Sequence, residues 1–177
     1  MLTAYVDEAF EVGRPGLYVL GAVLADPGDE QCRQEIRELL LPRQPQLHFT
    51  KESPKRRLQL AETVGGLSLP SLVTVRASAD AAERARGLCL VRLAWALSGL
   101  ANSLVFEARE GKLNEHDKTV LAGLASHGPR LSASFVPAGD DPLLWAADVL
   151  SGAIFQDLAR AQPAYRAALG PVTLLES

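Results

Sequence analysis

Sulfur and imidazole are scarce in this chain: two cysteines, one methionine and three histidines in 177 residues. Cys32 and Cys89 stand far apart, form no CxxC pair and are too few for a disulfide framework, which points to free thiols in a reducing cytoplasm. His48, His116 and His127 have no metal-ligand spacing, so a zinc site built on imidazole and thiolate is not indicated. Excess charge is also lacking. A net charge of −3 and a pI near 5.6 exclude a wholesale electrostatic grip on nucleic acid and leave room only for a local basic patch. No uninterrupted apolar run is long enough for a membrane span: the stretch from 88 to 106 carries Arg92 and is broken by Gly99 and Asn102. The first residues show neither the basic segment nor the apolar region of a signal peptide, so a cytoplasmic protein without membrane association is expected. GxSxG, Walker and GxGxxG motifs are all absent, which argues against a serine hydrolase and a nucleotide-loop enzyme.

What is present is apolar material with clear periodicity. Hydrophobic residues make up 47% of the chain, enough for one sizeable core, and a single domain over 1–177 is expected. LTAYVDEAF (2–10) and LYVLGAVLA (17–25) read as two strands of a hairpin joined by the Gly- and Pro-containing VGRPG. A helix follows Asp29, with Cys32, Ile36, Leu39 and Leu40 as its apolar stripe, and Pro42 and Pro45 end it. LHFTKES (47–53) is extended and leads into a helix capped by Ser53, started by Pro54 and stopped at Gly65-Gly66. Strands are expected at 71–77, 102–109 and 130–138, and helices at 79–100, 114–125 and 141–160. The second half of the 79–100 segment is almost wholly apolar, which predicts a central buried helix. The tail VTLLES, after Gly170-Pro171, reads as a strand pairing either within the chain or with a partner. This order predicts an α/β layered domain with a mixed sheet.

Most carboxylates have ordinary explanations. Glu30, Glu35 and Glu38 fall on a solvated helix face, and Asp29, Asp117 and Asp141 fall at caps or in first turns. Three do not. Asp7 closes the first strand beside Glu8, Glu107 ends an alternating strand, and Asp148 is the one charge within LLWAADVLSGAIF. A carboxylate among apolar neighbours is costly unless it is paired or binds metal. Structural pairing with Arg76, Arg92 or Arg109 is one solution. A single oxygen-only site for Mg²⁺ or Mn²⁺ absorbs all three costs together. Carboxylates from two strands and a late helix also suit two-metal phosphodiester chemistry.

The same residues carry a resemblance. Tyr5-x-Asp7-Glu8, the YVLGAVL strand, LHFTKES with its basic helix start, Glu107 on a central strand, and Trp145-Ala146-Ala147-Asp148 together resemble the bacterial domain-of-unknown-function 3800 family. That resemblance implies an RNase H-like mixed β-sheet flanked by helices. It also implies a metal-dependent nuclease or phosphodiester-processing enzyme with Asp7, Glu107 and Asp148 as metal ligands, and Glu8 as a further ligand or supporting group. The family's Ser-Gly is replaced by Ala9-Phe10 and its Gln by Trp145, so a catalytically inactive module binding nucleic acid or a protein partner is the alternative. A small-molecule hydrolase using the same metal site is a third reading.

Lys55, Arg56 and Arg57 open the helix after Ser53-Pro54, with His48 and Lys51 just ahead. Cations gathered at free helix N–H groups suit a phosphate of DNA or RNA. Ser151-Gly152 reads as small-residue helix packing.

Overall fold

The computed structural model describes residues 1–11, 16–137 and 139–177. The expected hairpin turn at 12–15, and Ala138 at the end of the expected 130–138 strand, lie outside the described residues. The chain runs β1 (Leu2–Phe10), β2 (Gly16–Ala25), α1 (Glu30–Arg37), a 3₁₀ turn (Phe49–Lys51), α2 (Pro54–Gly66), β3 (Ser71–Ser78), α3 (Ala82–Leu97), β4 (Ala101–Glu107), α4 (Leu113–Ala125), β5 (Ser132–Val136), α5 (Pro142–Arg160), α6 (Ala164–Leu169) and β6 (Thr173–Glu176).

One mixed six-stranded sheet has the order β5-β4-β1-β2-β3-β6. β2 is antiparallel to both β1 and β3, while β4 runs parallel to β1, β5 to β4, and β6 to β3. The tail therefore pairs within the chain. Side-chain alternation divides the sheet into two apolar layers. Tyr5, Val19, Val23 and Val73 face α2, α5 and α6, whereas Ala4, Val6, Leu20, Leu104 and Phe106 face α3.

The expected caps hold. Asp29 accepts from Cys32 N at 2.9 Å, Ser53 from Arg56 N at 3.3 Å, and Asp141 from Leu143 N at 3.0 Å. Four expectations need correction. The helix expected to be central, α3, covers one face of the sheet and leaves Trp95 51% exposed. Its apolar residues pack on β2 and β3 of the sheet and on α4. The buried helix is α5, enclosed from Pro142 to Phe155 apart from Asp148. Gly65-Gly66 does not stop α2, which runs through both glycines, and Gly65 packs against the backbone of α6 at Ala168. A side chain there would collide with that backbone, so Gly65 serves a close helix approach rather than a terminus. Finally, LHFTKES is not extended throughout, since Phe49–Lys51 form a 3₁₀ turn; Asn114 lies within α4, its side chain accepting from Arg109 N at 3.0 Å. No helix among the described residues is long and apolar enough to cross a membrane.

Candidate active site

β1 and β4 are parallel neighbours whose connections leave in opposite directions along the sheet, which opens a crevice at their C-terminal ends. Val6 is in register with Phe106, and the next residues on the two strands are Asp7 and Glu107. Both follow the face set by Tyr5 and Val105, which pack in the same layer as α5. Asp148 comes to that face from α5.

Small residues set how close α5 lies. Ser151 Oγ donates to the carbonyl of Asp7 at 2.8 Å. A β-carbon on Gly21 would stand 2.5 Å from that hydroxyl, and one on Gly152 would stand 2.5 Å from the Phe49 ring. The Ser151-Gly152 pair is thus packing, as expected, and its packing places Asp148 beside the end of β1. Arg33 fixes the start of α5: its Nε and Nη2 clamp both oxygens of Asp141 at 3.0 Å, and Nη2 also donates to the Tyr5 hydroxyl at 2.7 Å. The sequence reading missed Arg33, although its place one turn after Asp29 on a short polar helix left its side chain without a stated purpose.

A cavity of about 440 Å³ opens here, lined by Asp7, Glu8, His48, Glu107, Trp145 and Asp148 among others. Asp7 and Asp148 each retain some solvent contact. Burial pushes the Asp7 carboxyl well up from its ordinary value, and the charges of Glu8, Asp148 and Glu107 push it further. Asp148 is raised to about 6, mainly by burial, with Glu107 and Glu8 adding and the Phe49 N–H and Lys51 opposing. That N–H donates to Asp148 Oδ2 at 2.7 Å. Burial and Lys51 hold the His48 imidazole below its ordinary range, so it is neutral at pH 7. Trp145 Nε1 is buried in this wall with no hydrogen-bond partner among the described residues.

Glu8 departs from its neighbour. Alternation turns its side chain toward α3, where Arg86 Nη1 donates to Oε2 at 2.7 Å. Arg86 is 1% exposed and also grips Asp117, with Nε–Oδ1 at 3.0 Å and Nη2–Oδ2 at 2.8 Å. Arg109 reaches the same Asp117 oxygen at 3.1 Å and Glu83 at 2.8 Å. Asp117 is therefore not a first-turn surface residue but a fully buried bridge between two arginines. Of the arginines first considered as partners, Arg76 binds Asp80 at 2.6 Å, and Arg109 serves Asp117 and Glu83. Among the described residues, the arginine paired with a site acid is Arg86, with Glu8.

The basic group disperses. His48 lines the cavity, and the charge of Lys51 acts on both His48 and Asp148. Lys55 instead lines a separate apolar groove beside Pro163 and Tyr165. Arg56 bonds Gln59 at 2.8 Å, and Arg57 turns back onto the carbonyls of Phe49 and Thr50.

The chemistry of the donors fits a hard divalent cation, since the clustered groups are carboxylate oxygens that repel one another. Among the described residues, however, no three His, Cys, Asp or Glu side chains converge closely enough to hold an ion as they stand. The acids line one cavity rather than closing on a point.

No protein-family model and no curated protein matches the chain. Solved structures do. A chain of the PCNA–RNase HII complex from Archaeoglobus fulgidus matches with a TM-score of 0.61 at 15% identity, over 91% of this chain and 76% of that one. Ribonuclease H2 from Pyrococcus horikoshii OT3 matches at 0.58 and 15%, over 86% and 71%. Bst-RNase HIII in complex with Mn²⁺ matches at 0.59 and 14%, over 91% of this chain but 55% of that longer one. At such identities the likeness is one of architecture, and it establishes that the chain has an RNase H-like α/β fold.

Proposed function

We propose that the protein is a divalent-metal-dependent nuclease or related phosphodiester-processing enzyme. The observation that carries this is the shared cavity of Asp7, Glu107 and Asp148 at the ends of two parallel strands in an RNase H-like sheet. Asp7, Glu107 and Asp148 would hold Mg²⁺ or Mn²⁺, and Glu8, tied to Arg86, supports the end of β1 from the other face. When bound, such a cation supplies Lewis acidity at a phosphoryl oxygen and a more acidic water. The protein's part is to present negatively charged oxygens in a partly dry cavity and to orient a phosphodiester there. His48 lines the cavity, and its Nε2 lies 2.6 Å from the Gln46 side-chain amide, a contact that orients the ring at the site. Lys51 supplies a nearby positive charge for the nucleic-acid backbone, DNA or RNA.

Calorimetric titration of Mn²⁺ into wild type and Asp7→Asn tests the metal step. Cleavage of single-stranded RNA, duplex DNA and an RNA–DNA hybrid in Mg²⁺ and in Mn²⁺ tests the chemistry. Binding lost on Asp7→Asn, with metal-dependent cleavage in wild type, is expected. No Mn²⁺ binding, with or without nucleic acid, overturns the reading. A second reading, a non-catalytic module of the same fold, is favoured by the engagement of Glu8 with Arg86 and by the open arrangement of the acids. It predicts nucleic-acid or protein binding indifferent to Mn²⁺.

A further inference from the structure

Arg57 sits in the first turn of α2 beside Lys55 and Arg56, where the sequence suggests a phosphate contact. Its hydrogen bonds say otherwise. Arg57 Nε donates to the Phe49 carbonyl at 2.9 Å, and Nη2 donates to the Thr50 carbonyl. The guanidinium carbon lies 5.7 Å from the centre of the Phe49 ring. That ring is fully buried, pressed against Gly152 and edge-on to Tyr165 at 5.5 Å. From the same residue, the Phe49 N–H holds Asp148 Oδ2 at 2.7 Å.

We propose that Arg57 is a positioning residue: its forked guanidinium fixes the 3₁₀ turn at Phe49–Lys51, and the turn sets the Asp148 carboxylate in the cavity wall. The consequence for metal binding rests on the nuclease reading above, whereas the link from Arg57 to Asp148 does not. The role needs arginine in particular. Two carbonyls on adjacent residues match a planar fork with two parallel donors, and a lysine ammonium offers a point charge without that registry. Beyond the Phe49 N–H bond to Asp148 and the burial of its ring, the turn is held by short-range bonds: Lys51 N reaches His48 O at 3.0 Å, and Glu52 N reaches Phe49 O at 3.3 Å. Three residues of 3₁₀ geometry are weak alone. The guanidinium ties the turn to the thirteen-residue helix α2, while Gly152, four residues beyond Asp148, leaves room for the ring. Polar groups that orient a ligand carboxylate from outside are worth about 10–100-fold in metal affinity where measured.

The test uses the full chain with Arg57→Gln and Arg57→Lys, with Lys51→Gln as a comparison. Three quantities are read: hydrogen exchange at the Phe49 amide, Mn²⁺ affinity by calorimetry, and the salt dependence of binding to a single-stranded oligonucleotide. Faster exchange at Phe49 in Arg57→Gln is expected. Mn²⁺ affinity should weaken about tenfold, with partial recovery in Arg57→Lys and an unchanged salt slope. Lys51→Gln should instead lower the slope by about one. Unchanged Phe49 exchange in folded Arg57→Gln overturns the proposal. So does a reduced salt slope with metal affinity intact, the signature of a direct phosphate contact. Should Arg57→Gln not fold, Arg57→Lys, which keeps the charge and loses the fork, gives the same decision. Absence of Mn²⁺ binding in wild type defeats the nuclease reading and leaves the role of Arg57 to be decided by the Phe49 amide, which needs no metal.

Discussion

Replacing Asp148 by Asn should make the metal-free protein more stable at neutral pH, and the gain should depend on pH in a defined way. The Asp148 carboxyl is raised from 3.8 to about 6. A raised folded-state pKa means that the native state holds this proton more tightly than the unfolded chain does. Below pH 3.8 both states are protonated, and Asp148 costs nothing. As pH climbs from 3.8 to about 6 the unfolded state ionises first and stability is lost, and above that the penalty is constant. The full shift corresponds to about 3 kcal/mol. Solvent contact at the cavity mouth screens part of it, leaving about 2 kcal/mol, or about 4–8 °C in Tm for a chain of this size. Asn keeps an oxygen to accept the Phe49 N–H, so that hydrogen bond survives the change. The assay is differential scanning calorimetry with chelator present, at pH 8 and at pH 4. Asp148→Asn should melt higher than wild type at pH 8 and level with it near pH 4. An equal offset at both pH values, or a less stable variant at pH 8, would refute the argument that this carboxylate is buried against its preference.

Three further outcomes follow from the geometry. Arg86→Leu takes the arginine from Glu8 and one of the two arginines from the fully buried Asp117, and should cost about 3–5 kcal/mol in urea unfolding; a change below 1 kcal/mol would mean that the buried network is not closed in solution. Gly152→Ala drives a methyl group into the Phe49 ring and should cost about 1–3 kcal/mol, with faster amide exchange across the 3₁₀ turn. Trp145→Phe removes an indole N–H that has no acceptor among the described residues, so stability should change by no more than about 1 kcal/mol in the same urea assay; a larger loss would reveal a partner for that group.

Much of this was legible because burial leaves period-two and period-3.6 marks on a sequence. The strand through Tyr5 and Val6 and the capped start of α5 could be read directly. Asp148 could be picked out because a lone charge in an apolar run demands an explanation. Glu8 was harder. Alternation alone puts it on the opposite face from Asp7, yet which residue waits there depends on the crossing of α3, a tertiary fact. Arg86 carries no sequence signal that singles it out, and Asp117 reads as a first-turn acid, because the same residue types serve both purposes. Only packing brings Arg86 and Asp117 together. The basic cluster misled for a related reason: Lys55, Arg56 and Arg57 are consecutive in sequence, but on a helix they point in different directions, so that Arg56 meets Gln59, Arg57 meets the carbonyls of Phe49 and Thr50, and Lys55 lines a separate groove. Helix α6, six residues between Pro163 and Gly170, was too short for periodicity to register.

The parallel pairing of β1 with β4 also has a kinetic meaning. Asp7 belongs to the first strand, Glu107 to the fourth and Asp148 to the fifth helix, so their meeting requires closure of the chain's long loops. Non-local pairings of this kind form late and slowly compared with local helix contacts. No fragment ending before α5 can contain the cluster, and nothing in the nascent chain prefigures it until most of the polypeptide has emerged. An ion that required all three carboxylates would therefore bind only the completed fold, and its binding during refolding would mark the last step rather than the first.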